Sequence, residues 1–230
     1  MRSHRQGFLR LVICAAMAVL GACSGPPRAD APAAAPAPGS ERANDCEGRF
    51  VDIVPPAADC GFTLTAAGVL LHEGRTIADP LVASYRQDGG AARAVAAGRV
   101  VLFPASPSGR FRVVQACESA ATDGLCWKVF VFDRETGRLS DAAAGKYGPE
   151  RWLNWSPDER HAVLVSRNDG ASWLHVVESA SGRSLAFPRD GSGENWQLQP
   201  ETLAWTGARS FTVTVARCAD CAPAREAVRF

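Results

Sequence analysis

The chain has 230 residues, 47% of them hydrophobic, with 25 Lys and Arg against 24 Asp and Glu and a formal net charge of +1. This near balance removes the electrostatic reason to expect nucleic acid or an anionic membrane surface as a partner. The length suits one β- or α-built domain plus short appendages.

The N-terminus, "MRSHRQGFLR", carries Arg2, Arg5 and Arg10, and no acidic residue precedes Cys23. The apolar run "LVICAAMAVL" over 11–20 is too short to span a bilayer as a helix, but it suits the core of a secretory signal peptide. It ends in "LGAC". These four residues resemble the lipobox of bacterial lipoproteins, although Gly21 is a less common choice at its position. The resemblance implies that residues 1–22 are a signal peptide and that Cys23 carries lipid and begins the mature chain. The alternative is an ordinary cleaved signal with a chance cysteine. Ser24, rather than Asp, after that cysteine implies the outer membrane, with the protein facing the periplasm. Beyond Cys23 the charges number 22 basic against 24 acidic, so the balance persists.

Residues 23–43, "CSGPPRADAPAAAPAPGSERA", are dominated by proline and alanine and lack any apolar periodicity. Such a tether favours extended geometry and could reach ~60 Å. Folded material is expected from 44 to 230. It consists of short alternating runs rich in Val, Phe, Leu and Trp, separated by Gly, Pro, Asp and Ser, which predicts an all-β domain.

Six cysteines fall within it: Cys46, Cys60, Cys117, Cys126, Cys218 and Cys221. An even number in an oxidising compartment favours disulfides over zinc or free thiols, but the count alone leaves the connectivity open.

Internal repeats narrow it. "SPSGRFRVVQA" from Ser106 resembles "SPDERHAVLVS" from Ser156 at an offset of 50, and "WKVFVFDRETGRL" from Trp127 resembles "WLHVVESASGRSL" from Trp173 at 46. The loop bounded by Cys117 and Cys126 accounts for the difference. A weaker third copy, "LAWTGARSFTVTVARCADCAPAREAVRF", places Trp205 where Trp155 stands. Cys117 with Cys126, and Cys218 with Cys221, occupy the same place between the second and third strands of their copies. Both pairs are expected to be staples, leaving Cys46 to join Cys60. A redox-active Cys-x-x-Cys at Cys218 and Cys221 would want a helix N-terminus to depress a thiol pKa, and Pro223 and a strand-like run follow instead. Zinc would need a second pair of matching spacing, and haem attachment would need histidine where Ala222 stands.

Each copy reads as four antiparallel strands in ~45 residues, the size of a propeller blade. The middle copy, "WSPDERHAVLVSRNDGASWLHVVESASGR", resembles the TolB-like, WD-related propeller repeats, with Glu159 where those repeats carry glycine and Glu178 where they carry aspartate. The resemblance covers roughly 100–230. It implies a small or incomplete β-propeller-like array, with protein binding as its commonest use, and it brings no catalytic residues. A β-sandwich of similar hairpins is the alternative. Residues 46–98 are expected to form a divergent first blade or an irregular cap. The third copy ends short of a fourth strand, so "GRFVDIV" over 48–54 is expected to pair with "REAVRF" and close the array.

No Gly-x-Ser-x-Gly elbow, His-Glu-x-x-His helix or phosphate loop is present. His161 and His175 lie inside strand-like runs and read as packing or blade-surface residues, while His72 has no motif around it. "DGSGEN" over 190–195 alternates oxygen ligands but lacks the glycine and glutamate of a calcium loop, so a solvated turn is expected. Trp155 and Trp205 are expected between blades. Trp196, on a loop without a repeat counterpart, is either a binding anchor or a lateral cover for the core. No metal or cofactor is implied.

These readings converge on a non-enzymatic periplasmic lipoprotein that binds another protein. Its most specific form is an inhibitor or immunity protein against a periplasm-acting toxin or cell-wall hydrolase. An envelope-assembly or glycan-binding module is the second expectation, and a hydrolase with dispersed site residues the third.

Overall fold

The computed structural model describes residues 46–122, 124–144, 150–168, 170–189, 196–218 and 220–230. The "LGAC" stretch with Cys23, the proline-rich residues 23–43 and residues 190–195 lie outside the described residues. Those described form eighteen strands and no helix, so the fold class is all-β. "VAAGRV" and "LSDAAAGKYG", which have some helical propensity, contribute strands instead.

Every strand pairing is antiparallel. β2 (Ala57–Asp59), β3 (Phe62–Leu64), β4 (Leu70–His72) and β5 (Arg75–Ala78) form a four-stranded meander. β6 (Val82–Asp88) and β7 (Ala91–Ala96) form a separate hairpin. β8 (Arg99–Ala105), β9 (Phe111–Cys117), β10 (Cys126–Asp133) and β11 (Arg138–Ala144) form the first repeat sheet, and β1 (Val51–Ile53) is added at its edge. The second repeat supplies β12 (Leu153–Trp155), β13 (His161–Asn168), β14 (Ala171–Glu178) and β15 (Ser184–Phe187). The third supplies β16 (Gln197–Gly207), β17 (Ser210–Ala216) and β18 (Ala224–Arg229). None of these sheets closes on itself.

Three apolar clusters lie between sheets. Phe62, Leu64 and Leu70 of the meander pack with Leu102, Val114 and Phe132 of the first repeat sheet. From the opposite face of that sheet, Phe103, Val113 and Val131 pack with Ala162, Leu164 and Val177 of the second. The far face of the second sheet, through Val163, Val165, Leu174 and Val176, packs with Phe211, Val213 and Val215 of the third.

Successive side chains of a strand point to opposite faces. A strand covered on both faces therefore needs a continuous apolar run rather than an alternating one. β9 is buried at every residue and is apolar except at Arg112 and Gln115. β17 does not need such a run: Phe211, Val213 and Val215 are buried while Ser210, Thr212 and Thr214 are only half-buried on the other face. Each fully buried Leu, Val or Phe contributes roughly 1.5–3 kcal/mol.

Residues 48–54 do not close the array. β1 pairs with β8, in the register Val51 to Leu102 and Ile53 to Val100, and β18 pairs with β17 alone. The choice of edge follows from both faces of β1. Val51 and Ile53 enter the first cluster, 3% and 1% exposed, and Asp52 on the other face meets the buried guanidinium of Arg99 at 2.7 Å. The 46–98 segment, expected to be a blade or a cap, supplies β1, the meander and the hairpin.

Candidate functional site

One end of the repeat sheets carries their sharpest turns, and the turns are built alike. Ser106 N donates to Phe111 O at 2.8 Å while Ser106 Oγ accepts from Phe111 N at 3.1 Å. Fifty residues on, Ser156 N donates to His161 O at 2.8 Å and Ser156 Oγ accepts from His161 N at 3.0 Å. Both turns need a left-handed residue at the same place. Gly109 supplies it in the first (φ 75°), and Glu159 in the second (φ 56°). A non-glycine residue there costs about 1–2 kcal/mol. Glu159 has a compensating role: its carboxylate accepts from Ser106 Oγ and from Ser108 N, each at 2.7 Å, and from Ser108 Oγ. It fastens the second sheet's turn to the first's. The tryptophans make a matching link. Trp155 Nε1 donates to Pro104 O at 3.3 Å, and Trp205 Nε1 to Asn154 Oδ1 at 2.7 Å.

Two cavities open at this end. The first, about 720 Å³, is walled by the meander, the residues preceding β1 and the start of β9. The second, about 960 Å³, lies where the Asp158–His161 turn meets Glu178, Arg209 and Phe230. Arg110 lines both, its guanidinium paired with Asp133 at 2.9 Å and Glu135 at 2.7 Å. The hydrogen bond to Asp133 is the main reason its pKa lies above the usual arginine value.

The carboxylates of these walls are largely committed. Asp158 accepts from Ser156 Oγ at 2.7 Å, the chief reason its pKa lies below the ordinary value. Glu178 accepts from Ser181 Oγ and from Arg183 at 2.9–3.0 Å, which lowers its pKa in the same way. Burial alone would raise Glu159, but the bonds from Ser108 and Ser106 outweigh it and the net direction is down. In the first cavity Asp59 lies 3.7 Å from Arg49, and Glu73 lies 3.7 Å from Arg134.

Burial lowers the pKa of three histidines. The His72 ring sits 4.7 Å from Phe62 and 4.6 Å from Phe132, and desolvation lowers its pKa. His161 meets Phe230 edge-on at 4.9 Å. Desolvation lowers its pKa despite the opposing fields of Asp158 and Glu178, and its buried Nδ1 has no partner among the described residues. His175 is the most buried of the three, its Nε2 bonded to Ser166 Oγ at 2.7 Å and its pKa lowered by desolvation. None of the three is hydrogen-bonded to a carboxylate among the described residues.

The disulfides join Cys46 to Cys60, Cys117 to Cys126 and Cys218 to Cys221. Cys117 and Cys126 are direct cross-strand partners of β9 and β10, and Cys218 and Cys221 bridge the connection from β17 to β18. Cys46–Cys60 forms part of the first cavity's wall. The Asp59 carboxylate lies 3.6 and 3.4 Å from the two sulfurs, but with those sulfurs bonded to each other the cluster offers no thiolate to a metal.

Trp196 sits away from this end. It is half-buried against the third cluster and lines a shallow cavity of about 370 Å³ with Arg167 and Leu198. The residue that sequence reasoning missed is Arg112, on β9 in the wall of the first cavity and 7% exposed. The signal was present in "RFRVVQA", where a charge interrupts a largely apolar run. The chain matches no protein-family model, no curated protein and no solved structure.

Proposed function

We propose that this chain is a lipid-anchored lipoprotein of the outer membrane, facing the periplasm, whose β-domain is an open propeller-like array that binds another protein without chemistry of its own. Its most specific form is an inhibitor or immunity protein acting on a periplasm-acting toxin or cell-wall hydrolase. One observation carries the binding reading. At the turn-bearing end the cavity carboxylates Asp158, Glu159 and Glu178 are tied down by serines, backbone and Arg183, while Arg160 is 78% exposed and Arg183, though paired with Glu178, is 81% exposed. Carboxylates fixed as anions are poor general acids. Exposed guanidinium forks suit the carboxylates of a partner surface.

The anchor rests on "LGAC". Cys23→Ser is expected to move the protein from the membrane pellet to the soluble periplasmic fraction, and continued pelleting would refute lipidation there. For the binding reading, wild-type protein should capture a partner from periplasmic extract. Arg160→Glu with Arg183→Glu should weaken that capture about tenfold or more, a change of about 1.4 kcal/mol. Undiminished capture by the double variant would place the interface elsewhere.

A hydrolase with dispersed residues is the second reading, favoured by the placing of His161 beside Asp158 and Glu178 in one cavity. Hydrolysis of an envelope substrate that disappears in His161→Gln would favour it over pure binding.

A further inference from the structure

Arg112 is the most unusual side chain of the first cavity. β9 is buried along its whole length, and Arg112 places a guanidinium among its apolar side chains. Nη2 donates to Cys46 O at 2.8 Å, whereas Nη1 is buried and has no partner among the described residues. The comparison within the same sheet is Arg99, 2% exposed, whose two terminal nitrogens are taken by Asp52 and by the carbonyls of Thr122 and Gly124, although its Nε is buried with no partner among the described residues. A guanidinium does not escape burial by losing its proton, so an unmatched donor at Arg112 is a standing cost that an anion would relieve. Glu47 and Asp59 are near enough to favour its charge, but neither accepts a hydrogen bond from it among the described residues.

The walls narrow the class of anion. Glu47, Asp59 and Glu73 line the same cavity, so a doubly charged group such as phosphate would meet several like charges, while a single charge meets fewer penalties. A planar carboxylate also matches the planar fork of a guanidinium. Beside Arg112 the cavity presents Phe62, His72 and Phe132, mutually packed with ring centroids 4.6–5.2 Å apart. This is an apolar wall suited to the body of the ligand.

We propose that the first cavity binds the carboxylate of a small organic acid, with Arg112 as its anchor, Arg134 at the rim and the Phe62–His72–Phe132 wall against the apolar part. This site stands apart from the protein-binding reading and does not depend on it.

The test is calorimetric titration of the purified full chain with 3-phenylpropionate, with its neutral amide and with inorganic phosphate. The acid is expected to bind at one site, with the amide and phosphate each weaker by about tenfold or more. Arg112→Gln should remove at least that factor while leaving the circular dichroism spectrum unchanged. Because Arg112 is buried, Arg134→Gln is the second variant. That residue is 57% exposed, and its loss should weaken binding by about two- to fivefold without touching the core. No binding of the acid by wild type, equal binding of acid and amide, a preference for phosphate, or undiminished affinity in a folded Arg112→Gln would each overturn the assignment. Should Arg112→Gln fail to fold, unchanged affinity in Arg134→Gln would overturn it.

Discussion

Phe211→Ala is expected to lower the midpoint of thermal unfolding by roughly 6–20 °C. Phe211 is fully buried on β17, with ring centroids 5.4 Å from Trp205 and 6.3 Å from Phe230. Truncating a buried phenylalanine costs about 3–5 kcal/mol, and each kcal/mol shifts the midpoint by about 2–4 °C at this chain length. The site has little room to collapse. Val213 and Val215, on the same face of β17, are spent on the third cluster, and the sheet has three strands, with β18 at its edge. Differential scanning calorimetry checks the result, and a fall of less than about 4 °C would show that the third cluster is not a principal source of stability.

Arg99→Met should destabilise by about 3 kcal/mol. Arg99, 2% exposed, ties three pieces of chain together: Asp52 of β1, and the backbone at Thr122 and Gly124 in the loop closed by Cys117–Cys126. Methionine fills similar volume but leaves those two carbonyls without this donor. Arg151→Met is the control. It meets the same Asp52 carboxylate but is 52% exposed, so a loss within about 1 kcal/mol is expected. Amide exchange over β1 should quicken in Arg99→Met and stay slow in Arg151→Met.

The pH dependence has a defined sign. Burial would raise the Asp52 carboxyl, but the hydrogen bonds from Arg151 and Arg99 outweigh it and hold its pKa below the usual aspartate value. A depressed carboxyl contributes stability above its unfolded pKa of about 3.9 and loses it as pH falls through the folded value. The gap between wild type and Arg99→Met should therefore narrow in acid. A gap that stayed constant would mean that the packing of Arg99, and not its pairing, carries the effect.

Much of the fold is written in local pattern. The alternation of apolar and polar residues announces strands, and the "SPSGR" and "SPDER" turns recur with equivalent hydrogen bonds. The cysteines at the necks of the repeated loops are bonded to one another. The departure at Glu159 was visible as a missing glycine, but not the reason it is tolerated, because its partners Ser106 and Ser108 lie fifty residues earlier on another sheet. The partner of β1 was hidden for a similar reason. Its edge is decided by Asp52 meeting Arg99 and by Val51 and Ile53 entering a cluster of distant residues, neither of which a local window contains. The first cavity gathers residues from Cys46 to Arg134 across several turns, so no local window contains it, and Arg112, a charge within a largely apolar strand, was passed over.

The order of the apolar clusters along the chain has a bearing on synthesis. The second and third clusters each join a repeat sheet to the next one in sequence, so a chain emerging amino-terminus first can finish these layers in order. The meander must wait for the first repeat sheet beyond the β6–β7 hairpin, and β1 for β8, some fifty residues behind it. The last layer to emerge holds Phe211, Val213 and Val215, and until it arrives Val163, Val165, Leu174 and Val176 stand bare. A nascent chain stalled there would offer a holding chaperone a ready-made apolar face.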